Sequence, residues 1–323
     1  MNLSRIDLPD GPILQAVVRD ISEQKAAFEQ VRQARDRARK YFEVAGTLMV
    51  VLDPNGRVTA INQQGRELVG LPSAAIVGED WFGRFLPDEN REEVRAVFRR
   101  LVAGEEEIAA SYENVVLTGA GERRTLAFRN TILRDEQGAI EGILASGTDV
   151  TQQRALEETL RYQARHDPLT GLLNRGALDE ALDREVERIQ RYGGTLGLIM
   201  LDLDHFKVVN DRFGHPTGDR VLQGVVQCLQ DELRGADVLG RWGGEEFIAF
   251  LPHTDAEEAA GLAERIRQSV AGIPFEEVGR VTVSLGVTEL EAGQTRSAML
   301  KRLDNALYQA KEEGRNRVVT LKP

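Results

Sequence analysis

A glycine pair followed by two glutamates, within residues 241–247, interrupts two apolar stretches of the chain. Residues 238–239 precede this run and residues 247–251 follow it, so the pattern predicts a β-hairpin with the acidic pair at its tip. Gly243 and Gly244 can take the positive φ values of a two-residue hairpin turn, and they carry no Cβ that would block a ligand. Taken alone, the run would equally fit an exposed hairpin with solvated glutamates.

A second acidic strand end precedes the hairpin by about forty residues. Residues 196–201 form a short apolar run of the kind that a buried strand gives, and Asp202 follows it directly. If this strand pairs beside the hairpin, Asp202 and Glu246 can share a divalent cation while Lys207 neutralises phosphate oxygens. The two strand ends together therefore favour metal-dependent phosphate chemistry over a solvated hairpin.

Four motifs in the second half of the chain occur in a family-specific order: residues 167–175, residues 202–219, the Gly-Gly-Glu-Glu-Phe hairpin and residues 310–317. On these motifs, residues 167–319 resemble the GGDEF domain of diguanylate cyclases, which condense two GTP into cyclic di-GMP and two pyrophosphates. Four spaced motifs agree by chance far less often than one does. The resemblance covers about half of the chain.

The resemblance implies a metal site and a catalytic pair. Asp202, the Leu203 carbonyl and Glu246 would hold Mg²⁺ or Mn²⁺. Glu245 would be the base for the ribose 3′-hydroxyl, and Lys207 would act on the phosphates. Glutamate at the third hairpin position, where the family name has aspartate, keeps the carboxylate.

The resemblance also implies substrate contacts at Phe206, Asn210, Asp219, Gly243, Gly244, Lys311 and Arg315. Asn210 and Asp219 fall on the guanine-reading positions of the family. A carboxylate accepts from both N1–H and the N2 amino group of guanine, whereas adenine has no donor at N1, so Asp219 favours GTP over ATP. A turn role for Asn210 and a helix N-cap role for Asp219 stay open as alternatives.

Arg234 and Asp237 match the Arg-x-x-Asp site at which the product inhibits members of the family. An arginine fork can hold a phosphate or a guanine edge, and an aspartate accepts from guanine. The resemblance thus implies that cyclic di-GMP is an inhibitor as well as the product. An ordinary surface turn is the alternative for these four residues.

Residues 42–151 are predicted to form a small α+β domain. A hairpin over residues 48–61 is followed by short helices that contain Trp81 and Phe82. Three longer strands are predicted at residues 110–118, 123–133 and 139–150. This architecture resembles a PAS sensor domain, including Asn62 after the hairpin.

The ligand of this PAS-like domain stays open. All four histidines and the single Cys228 lie outside residues 42–151, which argues against an internal His-ligated haem and a flavin–thiol adduct. Trp81 and Phe82 could line a pocket for a flavin or another small molecule, but the interpretation as core is favoured. A ligand-free relay module is equally consistent with the sequence.

An internal repeat suggests how the rest of the chain is organised. Residues 18–25 echo residues 147–154, each a strand end turning into a helix, so a preceding PAS domain and a longer sensor are predicted. A seam at Ala27, Val31, Ala34, Ala38 and Tyr41 predicts a two-helix coiled coil, with packing on its own PAS domain as the alternative. The predicted parts are a PAS remnant (1–22), a coiled-coil helix (23–41), a PAS domain (42–151), a signalling helix (152–166) and a cyclase domain (167–323).

The fold class predicted is therefore an α+β two-domain chain, in which a PAS fold is joined by a helix to a nucleotide-cyclase-like α/β domain. The net charge of −11 argues against nucleic-acid and anionic-membrane partners, no apolar stretch reaches the ~20 residues of a membrane span, and a cytoplasmic location is expected. The predicted function is a Mg-dependent diguanylate cyclase that acts as a homodimer under PAS control. A catalytically silent receptor for GTP or cyclic di-GMP and a PAS-driven scaffold are the alternatives.

Overall fold

A computed structural model describes residues 2–8, 11–17, 22–105, 112–290 and 293–323. The chain divides into two units, Met1–Leu156 and Glu157–Pro323. Each unit contains a five-stranded sheet with helices packed against it, which confirms the predicted α+β two-domain class. None of the described helices is long and apolar enough to span a membrane.

An antiparallel hairpin precedes the first long helix. Its strands, β1 (Asn2–Leu8) and β2 (Gly11–Val17), pair along their whole length. Residues 18–21, which carry the first half of the predicted repeat, lie outside the described residues. The repeat indicated one strand here and the structure has two, and their origin in a preceding PAS domain stays a prediction.

Five strands form the sheet of the first unit: β3 (Leu48–Leu52), β4 (Val58–Ile61), β5 (Tyr112–Leu117), β6 (Arg123–Arg134) and β7 (Ile140–Asp149). They lie in the order β4-β3-β7-β6-β5, and every neighbouring pair is antiparallel. The predicted hairpin and three long strands are thus present. Residues 110 and 111 of the predicted third strand lie outside the described residues.

Three helices pack on this sheet: α2 (Gln63–Val69), α3 (Trp81–Phe85) and α4 (Asp88–Ala103). The buried Asn62 fixes the start of α2 to β3, because its Oδ1 accepts from the N–H groups of both Gly65 and Met49 at 2.9 Å. Trp81 and Phe82 are 5% and 3% exposed and belong to the hydrophobic core, as interpreted, and both also line a cavity of this unit.

Helix α1 (Ser22–Val44) extends the predicted coiled-coil helix at both ends. The five seam residues, from Ala27 to Tyr41, are all exposed in the described part of the chain. The helix contacts α2 near its C-terminus through an ion pair of 3.1 Å between Arg66 and Glu43. The seam therefore does not pack on its own unit, and the two-helix coiled coil stays a prediction.

Helix α5 (Thr151–Arg165) follows β7 and is continuous over nearly all of the predicted signalling helix. The hydroxyl of Thr151 accepts a hydrogen bond from the N–H of Thr125 at 2.8 Å, which ties the first residue of α5 to β6. Leu156 and Leu160 lie about one turn apart and are 59% and 55% exposed.

The sheet of the second unit consists of β8 (Leu196–Leu203), β9 (Val238–Gly243), β10 (Glu246–Pro252), β11 (Val283–Leu290) and β12 (Val318–Thr320). The order is β12-β11-β8-β10-β9; β11 and β12 are parallel and the other neighbours antiparallel. Its two faces are covered by helices α6 (Arg175–Tyr192), α8 (His215–Glu232), α9 (Ala256–Gly272) and α10 (Arg296–Glu312). All eight residues of β8 are buried, as the apolar run predicts for a central strand.

A short helix, α7 (Phe206–Phe213), joins β8 to α8, with Gly214 (φ 81°) between the two helices. Asn210 therefore lies inside α7 and Asp219 inside α8. The alternatives that made Asn210 a turn residue and Asp219 a helix N-cap are wrong, because Gly214 occupies the N-cap position of α8. The polar composition conceals α7, which buries little beyond Phe206 and Val209.

Candidate active site

The ends of β8 and β10 bring Asp202 and Glu246 directly opposite each other in antiparallel register. Residues paired in this way have their Cβ atoms on one face, about 4.5–5.5 Å apart, and like charges at such positions repel. Asp202 is 7% exposed and Glu246 is half-buried, so water screens the pair poorly. The fold thus unites two carboxylates that lie at separate strand ends in the sequence.

Gly244 and Glu245 form the turn between β9 and β10. Neither Gly243 nor Gly244 has a positive φ, so the expectation of left-handed glycines at this turn is wrong. The strand register shifts beside the turn, and Arg241 donates from Nε and Nη2 to the Gly244 carbonyl at 2.9 and 2.6 Å. A Cβ at Gly244 would meet no heavy atom within 4 Å, which leaves the turn open to a ligand.

Lys311 extends from α10 to the same sheet end, where its Nζ lies 2.7 Å from Asp202 Oδ2. Burial raises the pKa of Asp202; Lys311 lowers it, Glu245 and Glu246 raise it, and the net shift is upward. One ammonium group therefore faces a partly desolvated group of three carboxylates. The predicted role of Lys311 as a phosphate contact stays a prediction.

The oxygen atoms at this sheet end fit a hard divalent cation. Asp202 and Glu246 supply carboxylates, and Leu203, which follows Asp202 and ends β8, supplies a backbone carbonyl. The N–H of Leu203 donates to the Glu245 carbonyl at 3.3 Å, which holds the hairpin turn beside the end of β8. Among the described residues, no group of three or more His, Cys, Asp or Glu side chains is assembled as a metal site.

Asp204, to which the sequence assigned no role, organises the loop that carries Arg315. Its carboxylate accepts from Thr282 Oγ1 and Ser284 Oγ at 2.7 Å and from the N–H of Asn316 at 3.0 Å. Arg315 and Asn316 have φ values of 63° and 47°, a region that non-glycine residues seldom adopt. The buried Asp204 therefore helps to fix the backbone of Arg315, whose side chain is exposed.

The predicted guanine-reading residues lie where α7 and α8 approach closely. A Cβ at Gly218 would lie 1.9 Å from Asn210 Oδ1, so residue 218 must be glycine for this approach. Asp219 follows Gly218 and is exposed. Phe206 is buried in the first turn of α7, and Lys207 beside it is exposed.

Arg234 and Asp237 form a turn between α8 and β9. The N–H of Arg234 donates to Asp237 Oδ2 at 2.9 Å, and the N–H of Asp237 donates to the Arg234 carbonyl at 2.9 Å. Both residues line an open cleft of about 340 Å³, together with His166. The backbone is that of a surface turn, and the adjoining cleft leaves room for a ligand.

Comparisons with known proteins match both units. A family model described as "Diguanylate cyclase, GGDEF domain" matches residues 164–317, and one described as "PAS fold" matches residues 42–155. The response regulator PleD from Caulobacter vibrioides is 30% identical over an alignment of 345 residues. The alignment covers 96% of this chain and 76% of PleD. The chain belongs to the GGDEF family. Its GGDEF domain is preceded by a PAS domain, as the motifs predict.

Two further relatives concern the GGDEF domain. The diguanylate cyclase DgcP from Pseudomonas aeruginosa is 43% identical over 185 residues, which cover 56% of this chain and 28% of DgcP. The crystal structure of the coiled coil and GGDEF domain of DgcB from Caulobacter crescentus, in complex with c-di-GMP, is 35% identical with a TM-score of 0.51. That comparison covers 53% of this chain and 93% of the DgcB chain. This GGDEF protein spans less than half the length of the first curated diguanylate cyclases that it matches.

Proposed function

We propose that this GGDEF protein is a diguanylate cyclase that condenses two GTP into cyclic di-GMP and two pyrophosphates. The observation that carries the proposal is the pairing of Asp202 with Glu246, beside Glu245 in an open hairpin turn. The relative DgcP, which is named for this activity, supports it. Since GTP is a cytoplasmic nucleotide, the proposed reaction implies a cytoplasmic location.

A divalent cation, Mg²⁺ or Mn²⁺, would be held by Asp202, the Leu203 carbonyl and Glu246. Its chemistry is to neutralise the triphosphate and to stabilise the pyrophosphate leaving group. Burial, and to a smaller extent Glu245 and Glu246, raise the pKa of Asp202 although Lys311 lowers it, so a divalent cation bound here would favour the charged carboxylate.

The side chains of the chain supply the remaining chemistry. In each half-reaction, the 3′-hydroxyl oxygen of one GTP bonds to the α-phosphorus of the other, and the bond from that phosphorus to the pyrophosphate oxygen breaks. Glu245 accepts the proton of the hydroxyl. Lys207, Lys311 and Arg315 offset the negative charge of the phosphate oxygens.

Guanine recognition is assigned to Asn210 and Asp219. A carboxylate at position 219 can accept hydrogen bonds from the two neighbouring donors of guanine, N1–H and the N2 amino group. Adenine has no donor at N1, so it would form fewer hydrogen bonds with this carboxylate. The close approach of the Asn210 amide to the backbone of Gly218, one residue before Asp219, supports the assignment. Phe206, Gly243 and Gly244 complete the proposed substrate contacts.

A homodimer follows from the proposed reaction, since each 3′-hydroxyl must attack the nucleotide held by a second domain. The exposed apolar residues on α1 and α5, which include Val31 (70% exposed) and Leu160 (55%), suit helix pairing with a second copy. We assign to the PAS domain the control of whether the two cyclase domains meet.

Product inhibition is assigned to Arg234 and Asp237. Their cleft of about 340 Å³ is open to solvent, and the exposed Arg234 side chain can donate a bidentate pair of hydrogen bonds to a phosphate or a guanine edge. Cyclic di-GMP bound there would inhibit its own synthesis.

Replacing Glu246 tests the proposal. Wild type should convert GTP to cyclic di-GMP in the presence of Mg²⁺, and Glu246→Gln should lower the rate by roughly 10²-fold because one carboxylate charge is lost at the metal site. Glu187→Gln, an exposed position on α6, is the matched control and should keep the wild-type rate. Binding of GTP or cyclic di-GMP without turnover in wild type would favour the silent receptor, and binding of neither would favour the scaffold.

A further inference from the structure

The connection between α9 and β11 folds back on itself and packs against α8. The N–H of Phe275 donates to the Gly279 carbonyl at 2.7 Å, and the N–H of Gly279 donates to the Phe275 carbonyl at 2.8 Å. Gly279 has a φ of 85°, a value that suits glycine in so tight a loop. This segment, called the 275–279 loop below, is therefore held by its own backbone and presents a defined surface to α8.

Two side chains of the loop contact α8. A Cβ at Gly224 would lie 2.7 Å from Cε1 of the Phe275 ring, so the ring occupies the space that a larger residue would need. Nearer the start of the helix, Thr217 Oγ1 donates to Glu277 Oε2 at 2.9 Å. Arg220 donates from Nη2 to the other carboxylate oxygen of Glu277 at 2.8 Å. One glutamate of the loop thus binds two positions that lie one turn apart on α8.

The buried part of this cluster is the hydroxyl of Thr217. Thr217 is 6% exposed, and its Oγ1 also accepts from Arg220 Nη2 at 3.0 Å, so the hydroxyl is used both as donor and as acceptor. The side chains of Arg220 and Glu277 are 57% and 54% exposed, and their ion pair by itself contributes little. Loss of the carboxylate would leave a buried hydroxyl without its acceptor, which favours movement of the first turn of α8 toward water.

The start of α8 has no side-chain cap that could fix this turn instead. Gly214 occupies the N-cap position, carries no side chain and has a φ of 81°. A capping side chain normally satisfies N–H groups of the first turn and holds it in place. A carboxylate beside a helix N-terminus also complements the partial positive charge there. Glu277, from a loop about sixty residues away, is therefore the acidic group that holds the first turn of α8.

Gly218 and Asp219 lie between the two residues of α8 that Glu277 binds. We propose that Glu277 is a positioning residue for guanine recognition. By holding the helix on both sides of Asp219, it directs the Asp219 carboxylate toward the N1–H and the N2 amino group of the base. This inference rests on the guanine-reading role proposed above for Asp219.

Two nucleotides that cannot react test this inference on the full chain. In 3′-deoxy-GTP and 3′-deoxy-ITP the attacking 3′-hydroxyl is absent, and the inosine base also lacks the N2 amino group of guanine. By calorimetry with Mg²⁺, wild type should prefer the guanine nucleotide by about tenfold, and Glu277→Ala should reduce this preference to about twofold or less. Glu276→Ala, at an exposed neighbouring position in the loop, is the matched control and should keep the preference.

Further readouts separate positioning from a loss of fold. Glu277→Gln keeps an oxygen acceptor for Thr217 and should restore most of the preference. In turnover, Glu277→Ala should raise KM for GTP by roughly five- to tenfold and change kcat by less than about twofold. If Glu277→Ala does not fold, Thr217→Val, which removes the hydroxyl at nearly constant volume, gives the same test.

The outcomes distinguish this inference from the proposed function. A preference for the guanine nucleotide that is unchanged in Glu277→Ala, or that falls equally in Glu276→Ala, would overturn the inference alone and leave the role of Asp219 intact. Equal affinities for the two nucleotides in wild type would overturn both the guanine-reading role of Asp219 and the positioning role of Glu277.

Discussion

Arg241 joins Asp167 to the tip of the GGDEF hairpin. Its Nη1 lies 2.9 and 3.0 Å from the two carboxylate oxygens of Asp167, while its Nε and Nη2 hold the Gly244 carbonyl. Both side chains of the ion pair are 17% exposed. Burial alone would raise the pKa of Asp167, but hydrogen bonds from Thr170 and Arg241 outweigh it and lower the pKa. The residues just after α5 and the hairpin turn are therefore one hydrogen-bonded assembly.

Asp167→Asn removes the negative charge that orients Arg241. The amide oxygen of the asparagine can still accept the hydrogen bonds from Thr170. We expect the turnover rate to fall roughly tenfold, because the hairpin tip loses its fixed position, and the free energy of unfolding to fall by about 1–3 kcal/mol. Initial rates with GTP and urea unfolding measure the two effects. Glu185→Gln, which breaks a half-buried pair with Arg188 in α6, is the control and should lower stability without lowering turnover. Wild-type turnover in Asp167→Asn would mean that the turn holds its geometry without the ion pair.

Glu264 provides a pH test of stability. Hydrogen bonds from Arg267 and Gln268 lower its pKa to about 2 from a usual value of 4.5, and Arg267 also binds Asn316 in the Arg315 loop. Because the pKa of Glu264 is lower in the folded chain than in the unfolded chain, its ionised carboxylate stabilises the fold. This contribution is fully present above the unfolded-state pKa and is lost as the pH falls through about 2. The difference in unfolding free energy between wild type and Glu264→Gln should therefore be larger at pH 6 than at pH 2.5. A difference that does not depend on pH would refute the assignment.

Asp219→Ala tests guanine recognition. We expect KM for GTP to rise by roughly 10- to 100-fold, because two donors of the base lose their acceptor, while the thermal unfolding midpoint stays unchanged. Asp231→Ala, an exposed position near the other end of α8, is the matched control. Since Asp219 lies within the helix and not at its N-cap, unchanged GTP kinetics would leave it as a solvated surface residue.

Arg234→Ala tests the product site. The variant should bind cyclic di-GMP at least about tenfold more weakly by calorimetry, and it should keep its rate late in the reaction, when wild type slows. Arg184→Ala, at an exposed position on α6, should behave as wild type. Undiminished product binding in Arg234→Ala would reject the site.

Insertions in α5 test the coupling between the PAS and GGDEF domains. One residue inserted between Gln153 and Arg161 should rotate the end of α5 and the GGDEF domain by roughly 100° about the helix axis, whereas seven residues restore the phase to within ~20°. Activity should change strongly with one added residue and return largely with seven, as measured by initial rates. Activity that ignores the insertion length would mean that α5 is a passive tether.

Local patterns predicted the strands and hairpins of this chain well, and contacts across long stretches of sequence poorly. The apolar run before Asp202 and the turn residues at the hairpin tip are local signals, and both elements are present. The bond between Asp204 and Asn316 joins residues 112 positions apart, and no local pattern marks it. The short buried face of α7 was likewise concealed by its polar neighbours.

The turn at Gly244 shows a second limit of the sequence. Two adjacent glycines predict positive φ values, but neither Gly243 nor Gly244 has one. Two hydrogen bonds from the Arg241 guanidinium to the Gly244 carbonyl, together with the shift in strand register, hold this turn in another geometry. The PAS cavity shows a third limit, because the aromatic residues that predicted a core also line it. Core and cavity lining have the same composition, and only the packing distinguishes them.

The stoichiometry of the reaction decides whether this chain is a diguanylate cyclase. The purified chain is incubated with GTP and Mg²⁺, and cyclic di-GMP is measured by chromatography alongside released pyrophosphate. For each cyclic di-GMP formed, we expect two GTP to be consumed and two pyrophosphates to be released, with no comparable product from ATP. GTP consumption without cyclic di-GMP, or no consumption by a folded chain that binds GTP, would contradict it.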